Sequence, residues 1–286
     1  MKNQYSLGIV FVVVSAIVFS SAGLFTKGIE AEAWGIIFWR GIFAAGFTTL
    51  FVMIRGTVSA EFNNMGGVGL VVAIVGASGT AAFIPAFKFT SIANVSLIYA
   101  IAPLLAAILA WVWFRERPSL AVIVGALVAF LGVVTIFNGS FGSVNLTGDL
   151  LALWMTLSMA MMLVIYRRHP NTPAAGPAAL SSILLLPPAL VFGVPFQMTS
   201  QEIAITACFG LVFALASVTL AEGAKRLPSG ETALLSTLEA PFAPILAWIV
   251  LSELPPSLSV YGGVLILIGV VGSQIFGKRA PIRTLK

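Results

Sequence analysis

Two charged residues, Glu239 and Arg40, fall deep inside long apolar stretches of this chain. A carboxylate or guanidinium surrounded by hydrocarbon is costly, so such groups are paired, hydrogen-bonded or used in function. A carboxyl in a low-dielectric site is a candidate proton carrier, or the counter-charge of a cationic solute. The structural readings are a pair between Glu239 and Arg40, or an Arg40 side chain that reaches out to the interface. Hydroxyl and aromatic side chains share these apolar stretches: Ser20, Ser21, Phe83, Ser96, Tyr99, Trp154, Ser158, Phe213 and Ser217. One hydroxyl alone is weak evidence, because it can bond a carbonyl of its own helix. Trp154 also suits an interfacial anchor. Taken together with Glu239, these residues describe an aromatic, hydroxylated cavity low in fixed charge. It fits a modest neutral or zwitterionic solute. A polyanion would require several Lys or Arg at the same depth.

The elements that carry these residues are membrane helices. The 286 residues are 59% hydrophobic and 9% charged, against about 25% charged in a soluble domain. A soluble fold has no means of hiding that much apolar surface. Ten apolar stretches are about long enough to cross a bilayer as helices, roughly 6–26, 33–54, 66–87, 91–113, 119–138, 147–166, 175–195, 201–224, 229–250 and 257–277. Their unbroken length favours helices over barrel strands. The first stretch is too long for a cleaved leader and lacks a clear small-residue cleavage site. With the N-terminus in the cytoplasm, twelve of the fifteen Lys and Arg fall on the cytoplasmic side. The positive-inside rule therefore predicts cytoplasmic N- and C-termini.

A second regularity concerns the halves. Ile101–Pro118 reads I-A-P-L-L-A-A-I-L-A-W-V-W-F-R-E-R-P, and Leu238–Pro255, 137 residues on, reads L-E-A-P-F-A-P-I-L-A-W-I-V-L-S-E-L-P. At the same offset Lys88 pairs with Lys225, Trp111 with Trp248, Gly125 with Gly262 and Gly132 with Gly269. This predicts an all-α integral membrane protein of two five-helix repeats, 1–140 and 141–286. Five spans per repeat is an odd number, so the repeats are expected to insert upside down relative to each other, the architecture of alternating access. Pro103 in one repeat, and Pro241 with Pro244 in the other, interrupt equivalent helices and are candidate hinges. Other prolines, Pro85, Pro187 and Pro188, also fall within spans. Glycines at seven-residue spacing (Gly69 and Gly76; Gly125, Gly132 and Gly139; Gly262 and Gly269) mark close helix contacts.

Several classes are excluded. There is no dinucleotide fingerprint, phosphate-binding loop, nucleophile elbow or H-E-x-x-H, so neither an enzyme nor direct use of ATP is expected. An ion or solute gradient, with protons the first candidate, is left as the driving force. One cysteine, Cys208, and one histidine, His169, make a metal site improbable and a disulfide within the chain impossible. Both residues read as packing or loop positions, and no cofactor is implied. The net charge of +5 is scattered between apolar stretches and suits lipid headgroups, not nucleic acid.

The repeated A-P-L-L-A-A-I-L-A-W-V-W-F-R-E-R-P segment, F-K-F-T-S-I-A-N-V-S-L-I (Phe87–Ile98) and W-G-I-I-F-W-R-G (Trp34–Gly41) resemble the drug/metabolite transporter superfamily in its ten-span EamA-type branch. The aromatic, weakly charged interior is similar to its exporters of aromatic and other neutral amino acids. The resemblance implies a multi-pass protein of the bacterial inner membrane whose central cavity is lined by the first, third, fourth, sixth, eighth and ninth helices. Export of lipophilic cations is the competing activity. A non-transporting scaffold, an intramembrane enzyme and a passive channel are the readings from other classes.

Overall fold

In a computed structural model of the chain, residues 2–136, 145–251 and 257–276 are described. Gly139, the turn around Glu253 and the basic C-terminus lie outside them. Fifteen helices follow in order: α1 (Lys2–Phe19), α2 (Ala22–Gly28), α3 (Ala33–Ile54), α4 (Val58–Phe62), α5 (Gly66–Phe89), α6 (Ile92–Tyr99), α7 (Ala102–Phe114), α8 (Leu120–Ile136), α9 (Leu146–Arg168), α10 (Ala175–Leu184), α11 (Leu186–Phe192), α12 (Ser200–Ala224), α13 (Ser229–Ser236), α14 (Glu239–Leu251) and α15 (Ser257–Phe276). Among the described residues, seven helical stretches are long and apolar enough to cross a membrane. The other three expected spans fall on α8, on α13 with α14, and on α15, which are shorter apolar helices. Ile54, Leu120, Val191, Phe192 and Phe276 are all at least 67% exposed. Large apolar surfaces of this kind are stable against lipid and unstable against water.

Four of the expected spans are not single helices. The stretch 91–113 breaks between α6 and α7 at Ala100 and Ile101, and 229–250 breaks between α13 and α14 at Thr237 and Leu238. The two breaks are again 137 residues apart. Each has a proline just beyond it. The rings of Pro103 and Pro241 meet the carbonyls of Tyr99 and Thr237, four residues back, and neither proline has an N–H to offer them. The backbone responds by tightening: Thr237 N–H donates to Leu234 and Ala240 N–H to Thr237, at 3.2 and 3.1 Å, both spanning three residues. Pro244 lies beyond the break, within α14, and its side chain is outside the described set. The stretch 6–26 breaks at Ser20 and Ser21, and 175–195 breaks at Leu185, just before Pro187 and Pro188. Pro85, by contrast, does not interrupt its span: α5 runs through it, with the ring buried.

Helices do not gain by hiding apolar surface from lipid, so close packing of small residues must hold them together. The tightest seam joins α8 to α15. A methyl group on Gly125 would lie 2.6 Å from the carbonyl oxygen of Gly269, and one on Gly132 would lie 2.6 Å from that of Gly262. Exchanging each glycine for its counterpart at the 137-residue offset turns one of these contacts into the other. The same exchange turns the packing of α5 on α9 into that of α12 on α1, and α3 on α12 into α10 on α5.

The F-K-F-T-S-I-A-N segment forms a corner that is fully used structurally. Lys88 Nζ donates to the Ile29 carbonyl at 2.7 Å, and Thr90 Oγ1 to Asp149 at 2.9 Å. The Ser91 side chain caps α6 by accepting the Asn94 N–H at 3.1 Å.

Gly132→Ala is expected to destabilise the protein by about 1–3 kcal/mol through overpacking against Gly262 and Ile266. It should lower the melting temperature in detergent. Gly46→Ala, at a position with open space around it, should not. Equal melting temperatures for the two variants would mean that the seam is not tight.

Candidate functional site

A cavity of about 150 Å³ lies between α1, α2, α5, α6, α9, α10, α12 and α14. An apolar cavity of roughly that volume holds a benzene ring. Phe83, Ser96, Tyr99, Ser158, Phe213, Ser217 and Glu239 line it together. Five separate helices bring these seven residues to one wall, although in sequence they span more than half of the chain.

The paired helix breaks build the centre of this wall. Tyr99 is the last residue of α6 and Glu239 the first of α14. Each break thus exposes a helix end inside the protein. Glu239 thus sits in the first turn of α14, the end of a helix at which the aligned backbone dipoles favour a negative charge. Among the described residues, Glu239 makes no salt bridge, with Arg40 or any other cation. Ser158 is 1% exposed, and its hydroxyl has no partner among the described residues. A buried unpartnered hydroxyl on a cavity wall is a group positioned to bond a solute.

Four expected residues lie elsewhere. Ser20 and Ser21 sit at the break between α1 and α2, where their hydroxyls donate to the carbonyls of Ile17 and Val18 at 2.5 and 2.8 Å. They satisfy a kink and do not face the cavity. Trp154 is 47% exposed, on the outer side of α9. Arg40 is fully buried but is not part of the wall: its guanidinium carbon stacks 4.0 Å from the ring centre of Phe213 and 5.4 Å from that of Phe209. Both rings line the cavity, so Arg40 lies directly behind it. Cys208 is exposed on α12, not packed in the interior.

Sequence reasoning missed other parts of the wall. Met155, Met159 and Met162 line the cavity from α9 beside Ser158. Their spacing of four and three residues puts them on one helical face, a signal that was present. Pro177, Ala178 and Ser181 add α10, a span absent from the expected lining. Small residues carry no such signal.

Below the cavity, polar groups tie the helix ends together. Tyr5 Oη donates to Glu231 on α13 and lies 3.1 Å from the side-chain oxygen of Gln274 on α15. Arg167 meets Glu116 at 3.5 Å, and Glu222 pairs with Lys225 at 2.6 Å and with Arg226. All of α13 is buried, and a methyl on Gly230 would lie 3.1 Å from Ala107 on α7. The counterpart pair, α6 and α14, shows no comparable packing among the described residues. α13 is thus clamped against α7.

A helical membrane protein with an internal cavity, broken helices at its centre and no catalytic constellation on its wall has the build of a carrier. Comparison with known proteins agrees. The profile of the EamA-like transporter family matches residues 6–138 and again 146–274. The chain belongs to this family, and is a multi-pass membrane transporter of small molecules. A probable terminal-alkyne amino-acid exporter of Streptantibioticus cattleyicolor is 28% identical over 232 residues, covering 75% of this chain and 76% of that protein. The uncharacterized transporter YyaM of Bacillus subtilis is 23% identical over 252 residues, covering 82% and 81%. A crystal structure with 18% sequence identity superposes with a TM-score of 0.82, over 96% of this chain and 99% of that one, and shares the fold.

Tyr5→Phe removes the hydroxyl that joins α1 to α13 and α15. In a Cys208→Ser, Ser229→Cys background it should speed maleimide labelling of the buried position 229 by roughly 2- to 10-fold, as expected for one lost hydrogen bond. An unchanged labelling rate would show that this contact does not hold α13 in place.

Proposed function

We propose that this chain exports neutral amino acids, aromatic ones foremost, from the bacterial cytoplasm across the inner membrane by alternating access. The observation that carries the reading is the cavity wall. Phenylalanine, tyrosine and methionine side chains supply an apolar, polarisable lining, and Ser96, Ser158 and Ser217 supply hydroxyls. That combination suits a solute with one apolar side chain and one small polar head. The amino-acid exporter among the relatives supports the same substrate class.

The proposed engine is a pair of inverted five-helix repeats, 1–140 and 141–286, making ten spans with both termini in the cytoplasm. It is supported by the helix breaks 137 residues apart, by glycine contacts that exchange at that offset, and by a family profile that matches twice. In this reading Pro103 and Pro241 fix the hinge points, with Pro244 as a third candidate, and the α8–α15 seam is the axis. Glu239 is the proposed proton carrier, with the pH gradient as driving force. The unpaired carboxylate in an aromatic cavity also favours a second reading, export of lipophilic cations with Glu239 as counter-charge.

Proteoliposomes containing only this protein separate the two. Saturable flux of labelled phenylalanine, threonine or methionine that rises with a pH gradient, and a Glu239→Gln variant whose flux no longer responds to that gradient, are the expected results. Full gradient dependence in Glu239→Gln would remove Glu239 from coupling. Absence of amino-acid flux, with uptake of a lipophilic cation abolished by the same substitution, would establish the second reading.

A further inference from the structure

Arg40 is the one fully buried cation among the described residues, and its Nε, Nη1 and Nη2 atoms all lack a hydrogen-bond partner within the protein. Among the described residues no carboxylate pairs with it, and its side-chain contacts are with aromatic rings: the guanidinium lies over Phe213 and, farther off, over Phe209. The contact with the rings is made without any hydrogen bond from the three guanidinium nitrogens. The edge of the guanidinium plane carries the N–H donors, in the fork that matches a carboxylate with two parallel bonds.

The surroundings hold the fork in place. Gly210 on α12 lets α3 approach so closely that a methyl there would lie 2.6 Å from Phe43 Cβ and 3.2 Å from the Arg40 carbonyl oxygen. Gly41 brings the same helix against Ser182 of α10. The guanidinium is thereby held between helices, one aromatic ring away from the cavity. That ring, Phe213, sits on the wall edge-on to Phe19, with centres 5.9 Å apart. Such a ring rocks about its first two side-chain torsions without any movement of backbone, and so can cover or uncover the cation behind it. Among the described residues the wall itself offers a carboxylate hydroxyls and the Glu239 carboxyl, and no cation.

We propose that Arg40 is the carboxylate receptor of the cavity, reached when Phe213 swings aside, so that the transported solute carries a carboxylate next to an apolar group. This rests on the amino-acid reading above and narrows it: an amine without the acid group is a poor substrate. Arg40 then serves as a binding residue, and Phe213 as its shutter.

The purified full-length protein is treated with phenylglyoxal, which modifies accessible arginines, and the adduct at Arg40 is measured by mass spectrometry. L-phenylalanine and 3-phenylpropionate should slow labelling of Arg40; phenethylamine and sodium chloride at equal concentration should not. Protection by phenethylamine, protection by chloride alone, or an Arg40 that is never labelled would each overturn the proposal. In parallel, Arg40→Met should reduce the preference for phenylalanine over phenethylamine by about 10- to 100-fold, the worth of a hydrogen bond to a charged group. Arg40→Lys should keep part of that preference. An undiminished preference in a folded Arg40→Met protein would also overturn it. If Arg40→Met does not fold, the labelling of the wild-type protein decides. Phenylalanine flux without carboxylate protection of Arg40 would refute this inference alone. Protection by 3-phenylpropionate without any amino-acid flux would refute the amino-acid reading and leave the subsite standing.

Discussion

Backbone carbonyls and N–H groups have no water to turn to in hydrocarbon, so non-helical backbone survives there only where it faces protein or a cavity. The breaks at Ala100–Ile101 and Thr237–Leu238 are governed by this constraint. Pro103 and Pro241 interrupt the helical bonding, three-residue turns take up part of the loss, and the helix ends that result open beside the cavity. Tyr99 and Glu239 are where they are because of these two interruptions. Restoring continuous helices would shift both residues, and with them one of the two tyrosines of the wall and the one carboxylate that lines it among the described residues.

Around that centre the molecule divides into tight and adjustable contacts. Where α8 meets α15, glycines bring backbone against backbone, and no rotamer change could absorb a shift. The clamp of α13 on α7 relies on one glycine and on polar contacts at the helix ends, through Tyr5, Glu231 and Gln274. Single hydrogen bonds of this kind are worth about 1 kcal/mol, comparable to the energies that separate conformers in exchange. The strong seam and the weak clamp are therefore suited to different tasks, one as a pivot and the other as a latch.

Much of this was legible in the sequence because depth, periodicity and proline position are linear properties. The glycine spacing marked the seam, the prolines marked two of the breaks, and Phe83, Ser96, Tyr99, Ser158, Phe213, Ser217 and Glu239 were picked out by polarity or ring at mid-span. What stayed hidden is azimuth. Ser20 and Ser21 sit at the right depth, but their hydroxyls turn back to carbonyls of their own helix. Trp154 and Ser158 are only one turn apart on α9, yet one is 47% exposed and the other 1% exposed. Arg40 was visible as a buried charge, whereas its place behind Phe213 depends on how α3 meets α12 at Gly210. The contribution of α10, through Pro177, Ala178 and Ser181, had a single hydroxyl to announce it, which alone is weak evidence.

The proposed alternating access through this cavity makes one demand that neither a pore nor a static scaffold meets. The loaded carrier must reorient, and it does so faster than the empty one whenever the return of the empty form limits turnover. Counterflow tests this most directly: proteoliposomes preloaded with unlabelled phenylalanine are diluted into a trace of labelled phenylalanine, with no ion gradient. The account predicts a transient accumulation of label above its equilibrium level, saturable in the internal substrate. Label that only equilibrates, at a rate independent of the substrate inside, would contradict it.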